Sequence, residues 1–207
     1  MFHIKICGVR LESDVRSAAS SGADAIGLNF FPPSVRYVDP VSPSTLALSN
    51  LAVELGLLPV GVFVNDSSER IADVANRVRL GAIQLHGDEP PGVARMVGRS
   101  TGLPVIRAIK LPPGEISAAT IATAAADWIE SGCHLLLDRD AGAAHGGSGH
   151  SLDWPSVHAW AEKNTDVAWT LAGGLTADNV AEAIRTSGAA SVDTASGVEE
   201  PRGTKSE

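Results

Sequence analysis

Eight short apolar runs, each followed by a loop and then a helix-like stretch, predict an α/β protein of the closed (β/α)8 TIM-barrel class. The runs are nearly continuous in apolar residues with little in-out alternation, the pattern of parallel strands covered on both faces. A length of 207 residues with 44% hydrophobic composition suits one such catalytic domain over residues 1–207, with no linker and no second unit. No Gly-x-Gly-x-x-Gly or Walker sequence follows any run, which disfavours the open doubly wound sheet.

The expected strands are His3–Cys7, Ala25–Phe30, Val60–Asn65, Ala82–His86, Val105–Lys110, Leu135–Asp138, Ala168–Ala172 and Ser191–Thr194. Between them, helices carry start and stop signals. Ser13-Asp14 opens Val15–Ser21 before Gly22, Pro43-Ser44 opens Thr45–Leu55 before Gly56, and Asp66-Ser67 opens Ser68–Arg79 before Gly81. Thr176-Ala177-Asp178 opens Asn179–Thr186 before Gly188. In the Ala-rich stretch 116–130, Ile121, Trp128 and Ile129 suit one face of an amphipathic helix. The chain reaches Glu207 soon after the eighth run, so the eighth helix is expected to be short or missing, with the first and eighth strands partly uncovered.

The formal charge of −8 and pI near 5.2 argue against nucleic acid or an anionic membrane surface as partner, because the long-range field repels phosphates. A phosphorylated ligand would need local donors. Cys7 and Cys133 give neither a disulfide framework nor a structural metal site, and His86, His145, His150 and His158 lack ligand spacing, so no metal is expected. With no signal-peptide pattern and no apolar run of membrane length, the expectation is a cytoplasmic protein.

In a barrel of this kind the site lies at the C-terminal strand ends. The first run delivers Cys7 and the sixth Asp138, three steps apart around the ring, where a base and an acid could flank one small substrate. Taken singly, Cys7 also reads as a small buried apolar residue, and Asp138 as a loop cap or the partner of Arg139. Glycine clusters follow the late strands: Gly146-Gly147-Ser148-Gly149, Ala172-Gly173-Gly174 and Ala195-Ser196-Gly197. Their backbone N–H groups could converge on a phosphate, with the helix opened by Thr176 adding its positive end. The stiff loop Phe31-Pro32-Pro33-Ser34-Val35-Arg36 presents an arginine suited to a carboxylate, or else to pairing with Asp39 or Glu54. His86 could line the pocket. His134, His145, His150 and His158 read as solvent or loop residues, and Cys133 as a small core or turn residue.

The segments Lys5-Ile6-Cys7-Gly8, Gly27-Leu28-Asn29-Phe30, Pro33 to Val38, Gly61 to Asn65 and Gln84-Leu85-His86-Gly87 form one ordered series. It continues through Leu136-Leu137-Asp138, Gly146 to Gly149 with Asp153-Trp154, Leu171 to Leu175, Val192-Asp193 and Ser196-Gly197-Val198-Glu199. Over nearly its whole length the chain resembles the phosphoribosylanthranilate isomerases of tryptophan biosynthesis. The resemblance implies an Amadori rearrangement of N-(5-phosphoribosyl)anthranilate to 1-(2-carboxyphenylamino)-1-deoxyribulose 5-phosphate, with no cofactor. It implies Asp138 as general acid and Cys7 as general base, Arg36 on the anthranilate carboxylate, and Gly149, Gly173, Gly174, Ser196 and Gly197 on the phosphate with Asp193 beside them. For these roles Asp138 should be desolvated enough to hold its proton, and Cys7 lowered by donors or positive charge. Ala195 stands where such enzymes often have a second serine, His150 and Leu152 replace a commoner lysine and phenylalanine, and Val35 a common proline. A monomer or homodimer is implied, with contact to neighbouring tryptophan-pathway enzymes left open.

Two other readings remain. A histidine-pathway isomerase, or a barrel serving both pathways, would place a carboxylate on the first strand, where this chain has Cys7. A non-catalytic phosphosugar-binding barrel would have no need of both Cys7 and Asp138.

Overall fold

The computed structural model describes residues 1–140 and 152–206. Its strands are β1 (Ile4–Cys7), β2 (Ala25–Asn29), β3 (Leu58–Phe63), β4 (Ala82–Leu85), β5 (Val105–Leu111), β6 (His134–Arg139), β7 (Trp169–Leu171) and β8 (Val192–Thr194). They pair in sequence order, and β1 pairs with β8 in parallel, closing the barrel. Among the described residues seven α-helices cross between them: α1 (Glu12–Ser20), α2 (Pro43–Glu54), α3 (Ser68–Val78), α4 (Pro91–Thr101), α5 (Ala118–Glu130), α6 (Trp154–Ala161) and α7 (Val180–Ser187).

Alternation along each strand divides the core in two. Outward residues such as Ile26, Leu28, Ile83, Leu85, Leu135 and Leu137 pack against the helices, each fully buried side chain contributing roughly 1.5–3 kcal/mol. Inward residues are mostly small: Ala25, Val60, Ala82, Ile106, Ala108, Leu136 and Ala172 fill the lumen, with Phe2 below them. Small apolar side chains leave room in the lumen for the buried polar groups Lys5, Gln84, Thr170, Ser191 and Asp193.

The differences from the expected boundaries have local causes. β3 begins at Leu58 and runs through Pro59, which lacks an N–H but whose carbonyl accepts from Gly81 N at 2.8 Å. The same strand stops short of Asn65, which sits at φ 56° and cannot extend it. α1 begins before Ser13 because the Asp14 carboxylate folds back to accept from the backbone N–H of both Arg10 and Leu11 at 3.0 Å. His134 is a strand residue and not a solvent residue: its Nε2 meets Thr170 Oγ1 at 2.7 Å, and that hydroxyl meets Ser191 Oγ at 2.8 Å.

After β8 the described residues form only the 3-10 turn Ser196–Val198 and an antiparallel bridge between Glu199 and Lys205. Beside β1, β8 and α7 an apolar groove of about 460 Å³ remains, lined by Ile4, Leu175, Val180, Ile184, Val192 and Val198 among others. Ile4 of β1 and Ile184 of α7 are each 40% exposed there. No helix is long and apolar enough to cross a membrane among the described residues.

Candidate active site

β1 carries two inward side chains, and the deeper one organises the site. Lys5 is fully buried and its Nζ donates to Asp193 Oδ1, across the β1–β8 seam, at 2.7 Å. Burial works against the ammonium, but Asp193 and Cys7 together outweigh it and raise the Lys5 pKa. Asp193, expected beside the phosphate, has its carboxylate paired with this cation in the lumen.

Cys7 lies one turn of the pleat nearer the mouth, 9% exposed. Its thiol occupies space that Gly27 leaves open on β2: a Cβ at residue 27 would lie 2.7 Å from Cys7 Sγ. Burial pushes the Cys7 thiol up, Asp193 adds to that, and Lys5 and Lys205 oppose it without prevailing. The expected lowering therefore does not occur, because desolvation exceeds the combined pull of Lys5, already shared with Asp193, and Lys205.

Across the mouth, β6 delivers Asp138. Burial first, and then the like charge of Asp193, raise its carboxyl to about 7, while the Arg139 N–H and Lys5 oppose the shift. His86, just beyond β4, places Nε2 at 3.4 Å from Asp138 Oδ2. Burial brings this imidazole down to about 4, so it is neutral beside the acid.

Arg36 reaches the site from the loop after β2. Its stem passes over Gly8, at φ 78°, where any Cβ would collide with the arginine side chain. Nε and Nη2 donate to Glu199 Oε1 and Oε2 at 2.6 and 2.7 Å, so Arg36 pairs with neither Asp39 nor Glu54. Glu199 also accepts from Lys205 Nζ at 2.9 Å and Gly203 N at 2.9 Å. Burial opposes its charge, yet the Arg36, Lys205 and Gly203 hydrogen bonds hold it down at about 2. The bidentate grip spends one edge of the guanidinium and leaves Nη1 outside it. Replacing Glu199 by Gln should loosen Arg36 and raise KM by roughly 5- to 10-fold with kcat changed little, measured from initial rates; an unchanged KM would count against this role.

The late loops lean together. Gly173 and Gly174 follow β7 in succession at φ 85° and 79°. Thr194 Oγ1 donates to Leu175 O at 2.7 Å, and Gly197 packs so closely on that carbonyl that no side chain fits. Asn179 ties the turn to α7, accepting from Thr176 N at 2.8 Å and donating to Gly174 O at 3.0 Å. Gly173, Gly174, Ser196 and Gly197 thus share one corner of the mouth, while Gly149 and its cluster lie outside the described residues. Among the described residues no three His, Cys, Asp or Glu side chains gather where they could hold a metal ion. Sequence reading missed Lys5 and Glu199 as members of the site, and placed His86 only at its wall.

A closed parallel barrel of eight strands with buried polar side chains gathered inside it and at its mouth defines the class of (β/α)8-barrel enzymes. The family described as N-(5'phosphoribosyl)anthranilate (PRA) isomerase matches residues 4–207. The N-(5'-phosphoribosyl)anthranilate isomerase of Rhodospirillum rubrum is 42% identical over 207 residues, covering 98% of this chain and 91% of that protein. The crystal structure of phosphoribosyl anthranilate isomerase from Thermotoga maritima superposes with a TM-score of 0.84 at 35% identity, covering 100% of this chain and 93% of that one. A further isomerase structure, in complex with reduced 1-(o-carboxyphenylamino)-1-deoxyribulose 5-phosphate, has a TM-score of 0.78 at 33% identity, covering 100% and 93%. The chain belongs to the N-(5'-phosphoribosyl)anthranilate isomerase family, and its activity is that isomerisation, in tryptophan biosynthesis.

Proposed function

We propose that the chain performs the Amadori rearrangement of N-(5-phosphoribosyl)anthranilate by acid–base catalysis at Asp138 and Cys7, without a cofactor and in the cytoplasm. The observation that carries this reading is a carboxyl raised to about 7, set across the mouth from a thiol with a buried ammonium behind it. The product-analogue complex of the related isomerase supports the substrate class.

Asp138 gives its proton to the ribose ring oxygen. The C1–O bond breaks and the anthranilate nitrogen becomes an iminium, which acidifies the C2 hydrogen. Cys7, as thiolate, takes that hydrogen to leave an enolamine; tautomerisation to the ketone moves a hydrogen from the C2 hydroxyl to C1, and net return of one proton from the Cys7 thiol to the Asp138 carboxylate restores both groups. Arg36 holds the anthranilate carboxylate through Nη1, and Gly149, Gly173, Gly174, Ser196 and Gly197 hold the phosphate through backbone and hydroxyl donors. Asp193 keeps Lys5 charged and Asp138 protonated.

With Asp138 at about 7 and Cys7 above its ordinary 9, the free enzyme holds the proton on Asp138 and none on Cys7 in at most about 1% of molecules. The substrate changes this: the iminium is itself a cation, and beside Lys5 it draws the thiol toward thiolate at the step that needs one. The pH profile tests the assignment. Below pH 7 Asp138 is protonated and the thiolate fraction grows with pH, so kcat/KM should rise toward about 7. From there the loss of Asp138 protons cancels the gain in thiolate, giving a plateau, and activity falls only above the Cys7 pKa. Asp193→Asn removes the like charge, lowers the Asp138 pKa and should move the bend at 7 to lower pH. A profile with no bend there, or one that Asp193→Asn leaves in place, would overturn the assignment.

A further inference from the structure

Gln84 sits in the lumen among Ala82, Val60, Ile106 and Ala108, 1% exposed, with no hydrogen-bond partner for its Oε1 among the described residues. Stability alone would favour an apolar side chain at such a place. What its amide reaches is His86: Gln84 Nε2 lies 3.0 Å from Nδ1 of the ring. On the opposite edge of the same ring Nε2 stands 3.4 Å from Asp138 Oδ2. A neutral imidazole has one N–H and one lone pair. With the Asp138 proton on Oδ1, Oδ2 still accepts, as both oxygens do when the carboxyl is ionised, so the hydrogen belongs on Nε2 and the lone pair on Nδ1, which is the arrangement an amide N–H from Gln84 enforces.

The backbone around the ring is already fixed. His86 N donates to Phe63 O at 2.8 Å, Gly87 N donates to Glu89 Oε2 at 2.9 Å, and Arg107 donates to Gly87 O at 3.0 Å. Charged groups face the pair from several elements: Lys5 from β1, Lys110 and Arg107 from β5, Arg139 from β6 and Asp193 from β8. Those charges determine where His86 and Asp138 titrate, whereas Gln84 determines which ring nitrogen carries the hydrogen.

We propose that Gln84 is a positioning residue for the isomerisation: by donating to Nδ1 it holds His86 as the Nε2–H tautomer, which engages Asp138 Oδ2 and leaves Oδ1 to carry the transferable proton. This rests on Asp138 being the acid. The test follows Gln84→Leu and Gln84→Glu alongside Asp138→Asn, by steady-state kinetics and by the 15N shifts of His86, assigned through His86→Asn. Wild type should show the Nε2–H tautomer. Gln84→Leu should lose that signature and about 10- to 100-fold in kcat, with KM held within about twofold. Gln84→Glu, close in size but accepting where the amide donates, should draw a hydrogen onto Nδ1 and lower kcat at least as far, and it decides the matter if the leucine variant does not fold. Wild-type kcat and an unchanged tautomer in the Gln84 variants, with Asp138→Asn inactive, would overturn the role of Gln84 alone. Wild-type kcat in Asp138→Asn would overturn the acid assignment and this proposal with it.

Discussion

Asp138→Asn should lower kcat by about 10³-fold and at the same time make the protein more stable at pH 8. Asparagine keeps the shape of the carboxyl beside His86, but it has no acidic proton to give the ring oxygen. The stability change follows from linkage. The Asp138 carboxyl titrates at about 7 in the fold and near 3.8 in the unfolded chain, so the folded state binds more protons between those values. Stability from this group is therefore full below about pH 4 and is lost as pH rises toward 7, and the charge is carried at a penalty above that. Asparagine removes the penalty. With 23% of the side chain still open to the mouth, the gain should be about 2 kcal/mol at pH 8, well below the full shift. Denaturant titration at pH 4 and pH 8 checks it: a gain at both, or at neither, would contradict the origin assigned to the shift.

Lys5→Met should destabilise the fold by about 3–5 kcal/mol, a large part of the stability of a domain this size. The substitution keeps length and apolar bulk, so it leaves no cavity to explain the loss. What it leaves is Asp193, 7% exposed and without its cation 2.7 Å away. Asp193→Asn added to Lys5→Met removes the orphaned charge and should recover most of the loss in urea midpoint. If the double variant were as unstable as Lys5→Met alone, packing and not charge would be the cause. Activity need not return with stability, because Cys7 would still lack the buried cation that favours its thiolate.

The strands were legible because each needs only a short apolar run, and Leu135-Leu136-Leu137 is too short for a helix and apolar enough for a strand covered on both faces. The carboxyl and thiol were legible too, since Asp138 and Cys7 end such runs, where barrel chemistry collects. The electrostatic frame was not. Lys5 and Asp193 are 188 positions apart, and Arg36 and Glu199 163 apart, joined only because β8 closes on β1. Local reading offered Arg36 the nearby Asp39 or Glu54, which the fold turns elsewhere. The direction of the Cys7 shift failed for a related reason: a neighbouring cation is visible in Lys5-Ile6-Cys7, but the depth of burial that outweighs it is not. His134 was misjudged because a histidine next to an apolar run looks like a loop residue until Thr170 of β7 and Ser191, just before β8, close on it.

The central claim is that Asp138 and Cys7 are the acid and base of the isomerisation. Its most direct measurement generates N-(5-phosphoribosyl)anthranilate in situ and follows the loss of anthranilate fluorescence with wild type, Cys7→Ser and Asp138→Asn side by side. The account predicts turnover by wild type and rates at least about 100-fold lower in each variant. Wild-type rates in both variants, from proteins of native stability, would contradict it.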